Sequence, residues 1–226
     1  MKKAAAQKAV EEIKSGMVVG LGTGSTAKFA IEAIAARIRS GRLKDIVGIP
    51  SSIQTEELAL AGGIPLTTFE EKQQIDITID GADEVDANLN LIKGGGGALL
   101  REKVLAQASQ TTIIIVDESK LSDSLGMKCA VPVEVIPFAS AVEHRFVENL
   151  GAKVSLRRTS TGEEYRTDQD NLIIDCNFGI ILGPGSLATK LSSRAGIVEH
   201  GLFINVASKI IVAGRTGIRT IVRTNQ

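Results

Sequence analysis

The chain has 226 residues, 43% of them hydrophobic, and its 26 basic side chains balance 26 acidic ones, so the formal net charge is zero. That length supports one large or two small domains around a real core, and the charge balance removes the usual electrostatic case for nucleic acid or an anionic membrane surface. Aromatic residues make up 3% with no Trp, which argues against base-stacking platforms, and no apolar run nears the roughly 20 residues of a membrane span.

In chain order, basic Met1–Ala6 lacks the apolar region of a signal peptide. Residues 4–14 read as a helix ending near Ser15-Gly16, and Met17–Leu21 as a short apolar strand. Phe29, Ile31, Ile34, Ala35 and Ile38 approach helical spacing over 26–39, with Ser25 or Thr26 as the cap. A strand over 45–49 and a helix over 53–61, stopped by Gly62-Gly63, follow. The β-branched run 75–79 leads into Asp80, a helix covers 98–108, and 111–116 is a buried strand. This is the rhythm of a parallel α/β sheet, whose ligands bind beyond the carboxyl ends of the strands. The glycine loops and the Asp80 segment follow predicted strands, so all are expected on that edge.

After Val131 the rhythm changes. A Pro-bounded strand over 132–137, a helix over 141–150, strands over 153–158 and 172–176 and a helix over 186–195 suggest a βαββαβ module. Strands over 202–204, 210–212 and 220–222 then return. The fold class expected is α/β: a parallel-sheet Rossmann-like domain, 1–130 plus 202–226, with a smaller inserted α+β, ferredoxin-like domain at 131–201.

The chemistry gathers in three segments. Gly20-Leu21-Gly22-Thr23-Gly24-Ser25-Thr26 runs from strand to helix. Its glycines permit close approach of backbone to ligand, and a helix N-terminus favours phosphate or carboxylate. An ordinary capped turn explains the same residues; the spacing matches neither a Walker loop nor a full dinucleotide fingerprint. Lys93-Gly94-Gly95-Gly96-Gly97 sets a cation beside flexible N–H donors, which suits an oxyanion that forms during reaction. Four consecutive glycines cost too much backbone entropy to be a common surface loop. Glu102 follows, with Ala98 and Ala106 one turn either side. Such small neighbours let a substrate come close, take the carboxylate out of water and strengthen it as a base; a solvated surface glutamate is the plainer alternative. Asp80 and Asp83 end a strand as acceptors for sugar hydroxyls or as proton shuttles, with Glu84 and Asp86 extending the cluster; a helix cap or an Asx turn is the structural alternative. Metal binding is disfavoured, since no histidine lies nearby. Lys120 can reach a ligand at the same edge or simply be solvated. His144 and His200 fall away from every glycine loop, so carboxylates carry proton transfer. Cys129 and Cys176 sit in no metal or redox spacing and read as buried, reduced thiols of a cytosolic protein.

The ordered set 22–26, 80–84, 93–96, 100–103, 117–120, 132–137 and 201–203 resembles the A-type ribose-5-phosphate isomerases over nearly the whole chain. The resemblance implies interconversion of D-ribose 5-phosphate and D-ribulose 5-phosphate in the non-oxidative pentose phosphate pathway, without cofactor or metal. It makes Glu102 the proton acceptor, with Asp80, Asp83 and Lys93 assisting. Thr23, Gly24, Ser25, Thr26, Asp80, Gly81, Ala82, Asp83, Lys93, Gly94, Gly95, Gly96 and Lys120 become substrate-binding residues, and Lys2 or Lys3 a phosphate contact. Gly97 stands where some relatives have alanine, a change expected to affect loop flexibility rather than activity. The expected partner is a small sugar phosphate, with no nucleic acid and no membrane, in a cytoplasmic homodimer or homotetramer. Two other readings compete: a sugar-phosphate sensor of the kind found in transcriptional regulators, which would need a DNA-binding element and not Glu102, and an acyl-CoA transferase, for which the chain is short.

Overall fold

Strand and helix signals resolve into elements as follows in a computed structural model that describes residues 1–223. The helices are α1 (Lys2–Val10), α2 (Ala27–Arg39), α3 (Ile53–Gly62), α4 (Leu99–Gln107), α5 (Ser140–Asn149) and α6 (Pro184–Ser192). The strands are β1 (Val18–Leu21), β2 (Val47–Pro50), β3 (Ile75–Asp80), β4 (Glu84–Val85), β5 (Leu91–Ile92), β6 (Ser109–Asp117), β7 (Val131–Val135), β8 (Lys153–Leu156), β9 (Leu172–Asn177), β10 (Ile197–His200), β11 (Leu202–Phe203), β12 (Lys209–Gly214) and β13 (Gly217–Val222).

Contacts divide the chain into two units: residues 1–82, 101–119 and 206 onward, and residues 83–100 with 120–205. The first is built on a sheet ordered β13-β12-β6-β3-β1-β2, parallel throughout except for the β12–β13 hairpin. Runs such as Ile113-Ile114-Ile115-Val116 are buried on both faces, as a sheet covered by helices requires. Helix α1 meets the core through Ala5, Ala6, Ala9 and Val10, and α2 adds Ala30, Ile31, Ile34 and Ala35. Small side chains on α1 let its backbone lie close to its neighbours. Ser52 caps α3 by accepting from Thr55 N–H at 3.0 Å, and Gly63 ends it in the left-handed region at φ 75°.

In the second unit four antiparallel strands order as β10-β7-β9-β8, with α5 and α6 joining them. This is the ferredoxin-like βαββαβ arrangement. Val131, Val133 and Val135 alternate with Pro132 and Glu134, so one face of β7 enters a core with Val147, Ile174, Cys176 and Leu191. A separate three-stranded sheet orders as β11-β5-β4.

The α/β class and both sheet types agree with the sequence reading; several details differ. Helix α1 stops at Val10 rather than Lys14, because Glu12 and Ile13 hydrogen-bond three residues back and tighten the last turn. Thr26 occupies the N-cap position of α2, yet neither it nor Ser25 makes a side-chain cap. Residues 202–203 do not return to the large sheet but pair with β5. The sequence reading set 83–100, 120–130 and 202–205 in the larger domain; contacts group these segments with the four-stranded sheet. The last residues of the 202–226 range, 224–226, lie outside the described residues.

Candidate active site

The parallel order β2-β1-β3-β6-β12 reverses direction at β1: the chain steps outward to β2, then returns to the other side at β3. Such a switch point leaves a crevice at the carboxyl ends of the two strands, where ligands of open α/β sheets bind. Gly20–Thr26 leaves the end of β1 and Asp80-Gly81 the end of β3, and these ends are hydrogen-bonded neighbours, Leu21 opposite Ile79.

The two segments are fitted to one another. A Cβ on Gly22 would stand 2.2 Å from Asp80 Oδ1 and 2.6 Å from Asp80 Cα, and one on Gly20 would overlap Thr78. Only glycine lets the strands run on at this spacing. Asp80 is 2% exposed and its Oδ1 accepts from the N–H groups of Thr23 at 3.1 Å and Gly81 at 2.7 Å. The Thr23 hydroxyl lies 2.7 Å from Ser51 Oγ, 2.9 Å from Ser52 Oγ and 3.1 Å from Thr55 Oγ1. Thr55 in turn donates to the Gly22 carbonyl at 3.0 Å. Gly24, at φ 100°, and the exposed Ser25 complete the turn; Lys2 Nζ donates to Ser25 Oγ at 2.9 Å. Beside it lies a cavity of about 550 Å³ whose lining includes Gly22, Gly24, Ser25, Lys28 and Thr55, within the usual range for small-molecule pockets. Ser51, Ser52, Thr55 and Lys28 were not singled out in the sequence; Ser51-Ser52 follows β2 directly, and that position was the available signal.

The Lys93 loop is built differently. It follows two-residue β5, not a strand of the large sheet as the sequence reading expects. Lys93 is 3% exposed, with its ammonium 5.5 Å from the centre of the Phe203 ring, a cation–π distance. Gly94 and Gly97 take φ 99° and 81°, which β-carbon-bearing residues avoid. Gly95 N–H donates to Asp83 Oδ2 at 2.8 Å, so the structure brings Asp83 and this loop together. Alanine at 97 is no small change here: its Cβ would stand 2.2 Å from the Tyr165 hydroxyl.

Glu102 sits in the first turn of α4 at 5% exposure, with Lys103 also buried. The solvated-surface alternative therefore falls away for Glu102. Lys120 closes the short 3₁₀ turn Glu118–Lys120 after β6 and is half-buried.

The acidic run does not act as one cluster. Glu84 is fully buried, and its carboxylate accepts backbone N–H bonds from Gly126, Met127, Lys128 and Cys129 at 3.0–3.2 Å. Asp86 accepts from Asn88 and Asn90 and so forms the β4–β5 turn. His200 is buried between Ser192 Oγ and Leu202 N–H, and His144 pairs with Glu148 along α5. Both cysteines are free; burial pushes both thiols above their ordinary value, more so for Cys176, which is the fully buried one, while Cys129 is only half-buried.

Comparison with known proteins covers almost the whole chain. The family described as "Ribose 5-phosphate isomerase A (phosphoriboisomerase A)" matches residues 47–217. Ribose-5-phosphate isomerase A of Desulfatibacillum aliphaticivorans is 62% identical over 219 residues, 97% of this chain and 95% of that protein. The ribose 5-phosphate isomerase structure from Plasmodium falciparum superposes with a TM-score of 0.93 at 44% identity, covering 99% of this chain and 98% of that one. A D-ribose-5-phosphate isomerase in complex with phospho-erythronic acid gives a TM-score of 0.96 at 40% identity, covering 98% and 97%. With the glycine-rich crevice at β1 and β3, the glycine loop after β5 and this near full-length similarity, the chain belongs to the ribose 5-phosphate isomerase A family.

Proposed function

We propose that this protein interconverts D-ribose 5-phosphate and D-ribulose 5-phosphate through a cis-enediolate, in the non-oxidative pentose phosphate pathway. The observation that carries the reading is Glu102, withdrawn from water on the first turn of α4 in a chain of this family. The sugar ring opens with Asp80 or Asp83 moving a proton. Glu102 removes the proton from C2 of the open-chain sugar, and the electron pair left behind places negative charge on the C1 oxygen of the cis-enediolate. Lys93 and the N–H groups of Gly94, Gly95 and Gly96 stabilise that charge, the Gly95 donor leaving Asp83 to do so. The C2 hydroxyl gives its proton to the C1 oxygen, and the carboxylic acid of Glu102 returns the abstracted proton to C1 as the C2 carbonyl forms, which closes the proton balance. Thr23, Gly24, Ser25 and Thr26, with Gly81, Ala82 and Lys120, bind the substrate. Of Lys2 and Lys3, the N-terminal candidates for a phosphate contact, Lys2 is favoured by its hydrogen bond to Ser25 Oγ.

Proton NMR of D-ribose 5-phosphate in D₂O with EDTA-treated protein tests the reaction: ribulose 5-phosphate forms with deuterium exchange at carbon. Glu102→Gln tests the base and lowers kcat by ~10²–10⁴-fold, the usual range for a lost general base. Near-normal turnover by that variant sinks the assignment. A sensor reading would show broadened sugar signals and no turnover.

The same reading has a cytoplasmic protein that works as a homodimer or homotetramer. Phe138 is 98% exposed and Leu182 is 92% exposed, apolar surface of the sort that self-association covers. Light scattering at micromolar concentration gives the mass directly.

A further inference from the structure

A run of glycines has no side chains to hold its shape, and an oxyanion site works only if its donors are aimed before the charge develops. The loop's carbonyl side supplies the restraint. Arg157, just past β8, donates through one guanidinium nitrogen to the Gly94 carbonyl at 2.8 Å and the Gly95 carbonyl at 3.2 Å. Tyr165 donates its hydroxyl to the Gly96 carbonyl at 3.1 Å. Neither holder is loose. The other guanidinium nitrogens of Arg157 pair with both oxygens of Asp175 on β9, and the Tyr165 ring lies 5.8 Å from the guanidinium carbon. Tyr165 N–H donates to the Arg157 carbonyl at 3.0 Å, which ties the two together along the backbone.

Peptide planarity turns this into a statement about donors. In a trans peptide the carbonyl of one residue points opposite to the N–H of the next. Holding the carbonyls of Gly94 and Gly95 therefore sets the directions of the N–H groups of Gly95 and Gly96, two of the donors proposed for the enediolate, while the Gly96 carbonyl held by Tyr165 fixes the peptide whose Gly97 N–H closes the turn on the Gly94 carbonyl at 3.0 Å. A cationic donor on the carbonyl also polarises the peptide unit and strengthens its N–H.

We infer that Arg157 and Tyr165 are positioning residues of the isomerase reaction, which hold the carbonyl face of the Gly94–Gly97 loop so that its N–H face is ready for the enediolate. Asp175 keeps Arg157 in place. The inference rests on the function proposed above, and it gives the β8–β9 connection a part in turnover although that connection supplies no group to the substrate. Gly97 belongs to the same device: the Tyr165 hydroxyl reaches the loop because residue 97 has no side chain.

Tyr165→Phe and Arg157→Lys separate the possibilities. Both keep bulk, and lysine cannot reproduce the guanidinium fork that spans Asp175 and the loop. The expected result is a kcat lowered roughly 10- to 100-fold, the scale of a misplaced catalytic group, with KM within about twofold. Affinity for phospho-erythronic acid, whose carboxylate offers anionic oxygens like those of the enediolate, falls in step with kcat while thermal midpoints stay within a few degrees. Unchanged kcat in both variants overturns the inference, and so does a raised KM at intact kcat. Should Arg157→Lys melt early, Tyr165→Phe decides alone. Wild-type protein assayed alongside keeps two failures apart: an inactive wild type sinks the function, whereas an active wild type with an equally active Tyr165→Phe sinks only the positioning role.

Discussion

The two glycine-rich loops have similar composition and opposite construction. In Gly20–Thr26 the glycines at 20 and 22 are there because a neighbouring strand leaves no room for a side chain. Its partners are local to one sheet edge: Asp80, Ser51, Ser52 and Thr55. In Lys93–Gly97 the glycines at 94 and 97 are there for their positive φ, and the holding group Arg157 lies 63 residues beyond Gly94. The first loop is fixed by close packing of backbone on backbone. The second is fixed by hydrogen bonds from the Arg157 and Tyr165 side chains, which reach it from a distant connection. A glycine motif therefore says that the backbone is unusual, and only the surroundings say why.

Substitutions separate the two kinds. Gly22→Ala has the largest expected effect, since its Cβ would meet the Asp80 backbone at 2.6 Å, which cannot swing aside. Loss of more than ~4 kcal/mol, or failure to fold, is expected in urea melts, as in the exceptional tail of point mutations. Gly97→Ala comes next. The group it meets is the end of the Tyr165 side chain, which can rotate away, so the fold survives at a cost of ~1–2 kcal/mol for a left-handed alanine. Its kcat should fall to the level of Tyr165→Phe. In Gly97→Ala/Tyr165→Ala the losses should overlap rather than add, because the two residues touch. Full additivity there, or a Gly22→Ala protein as stable as wild type, would erase the distinction.

The smallest effect concerns the support behind Tyr165. Glu134, buried on β7, accepts from Thr167 Oγ1 and Asn171 Nδ2, both at 2.9 Å, in the same connection. Burial holds its carboxyl above the ordinary 4.5; the hydrogen bonds from Asn171 and Thr167 work against that, and Glu199 and Asp168 add to it. A raised native value means that stability present below pH 4.5 is lost as pH rises through the native value, because the folded state resists the charge. Glu134→Gln keeps an acceptor and removes the charge. Its stability relative to wild type should therefore grow from pH 4 to pH 8, read as a widening gap in denaturation midpoints. A constant gap would mean that Glu134 does not titrate differently in the folded state.

Much of this was legible in the sequence. Long apolar strands such as 75–79 and 111–116 and the stop at Gly62-Gly63 give strong local signals, and the β1 and β3 ends follow from parallel topology. Two-residue β4 and β5 give none, because a period needs several residues to show. With them went the setting of the Lys93 loop and the pairing of 202–203. Arg157 and Tyr165 were invisible for a different reason. They lie in a polar stretch, 157–171, with turn-like composition, and their partners are backbone carbonyls, which no side-chain pattern reports. Ser51 and Ser52 also look like ordinary turn residues until Thr23 is seen to reach them.

Glu84 closes the acidic motif Asp80–Glu84, but its four backbone donors make it the hub on which residues 126–129 wrap. Adjacent letters of one signature thus have different structural settings. On the mechanism proposed above, damage at Asp83 would show in each molecule's turnover. Damage at Glu84 shows in how many molecules remain, since a partly unfolded population is cleared by proteases. A survey of variants that scores only cellular flux would give the two the same mark; one that measures protein abundance alongside would tell a poor catalyst from a scarce one.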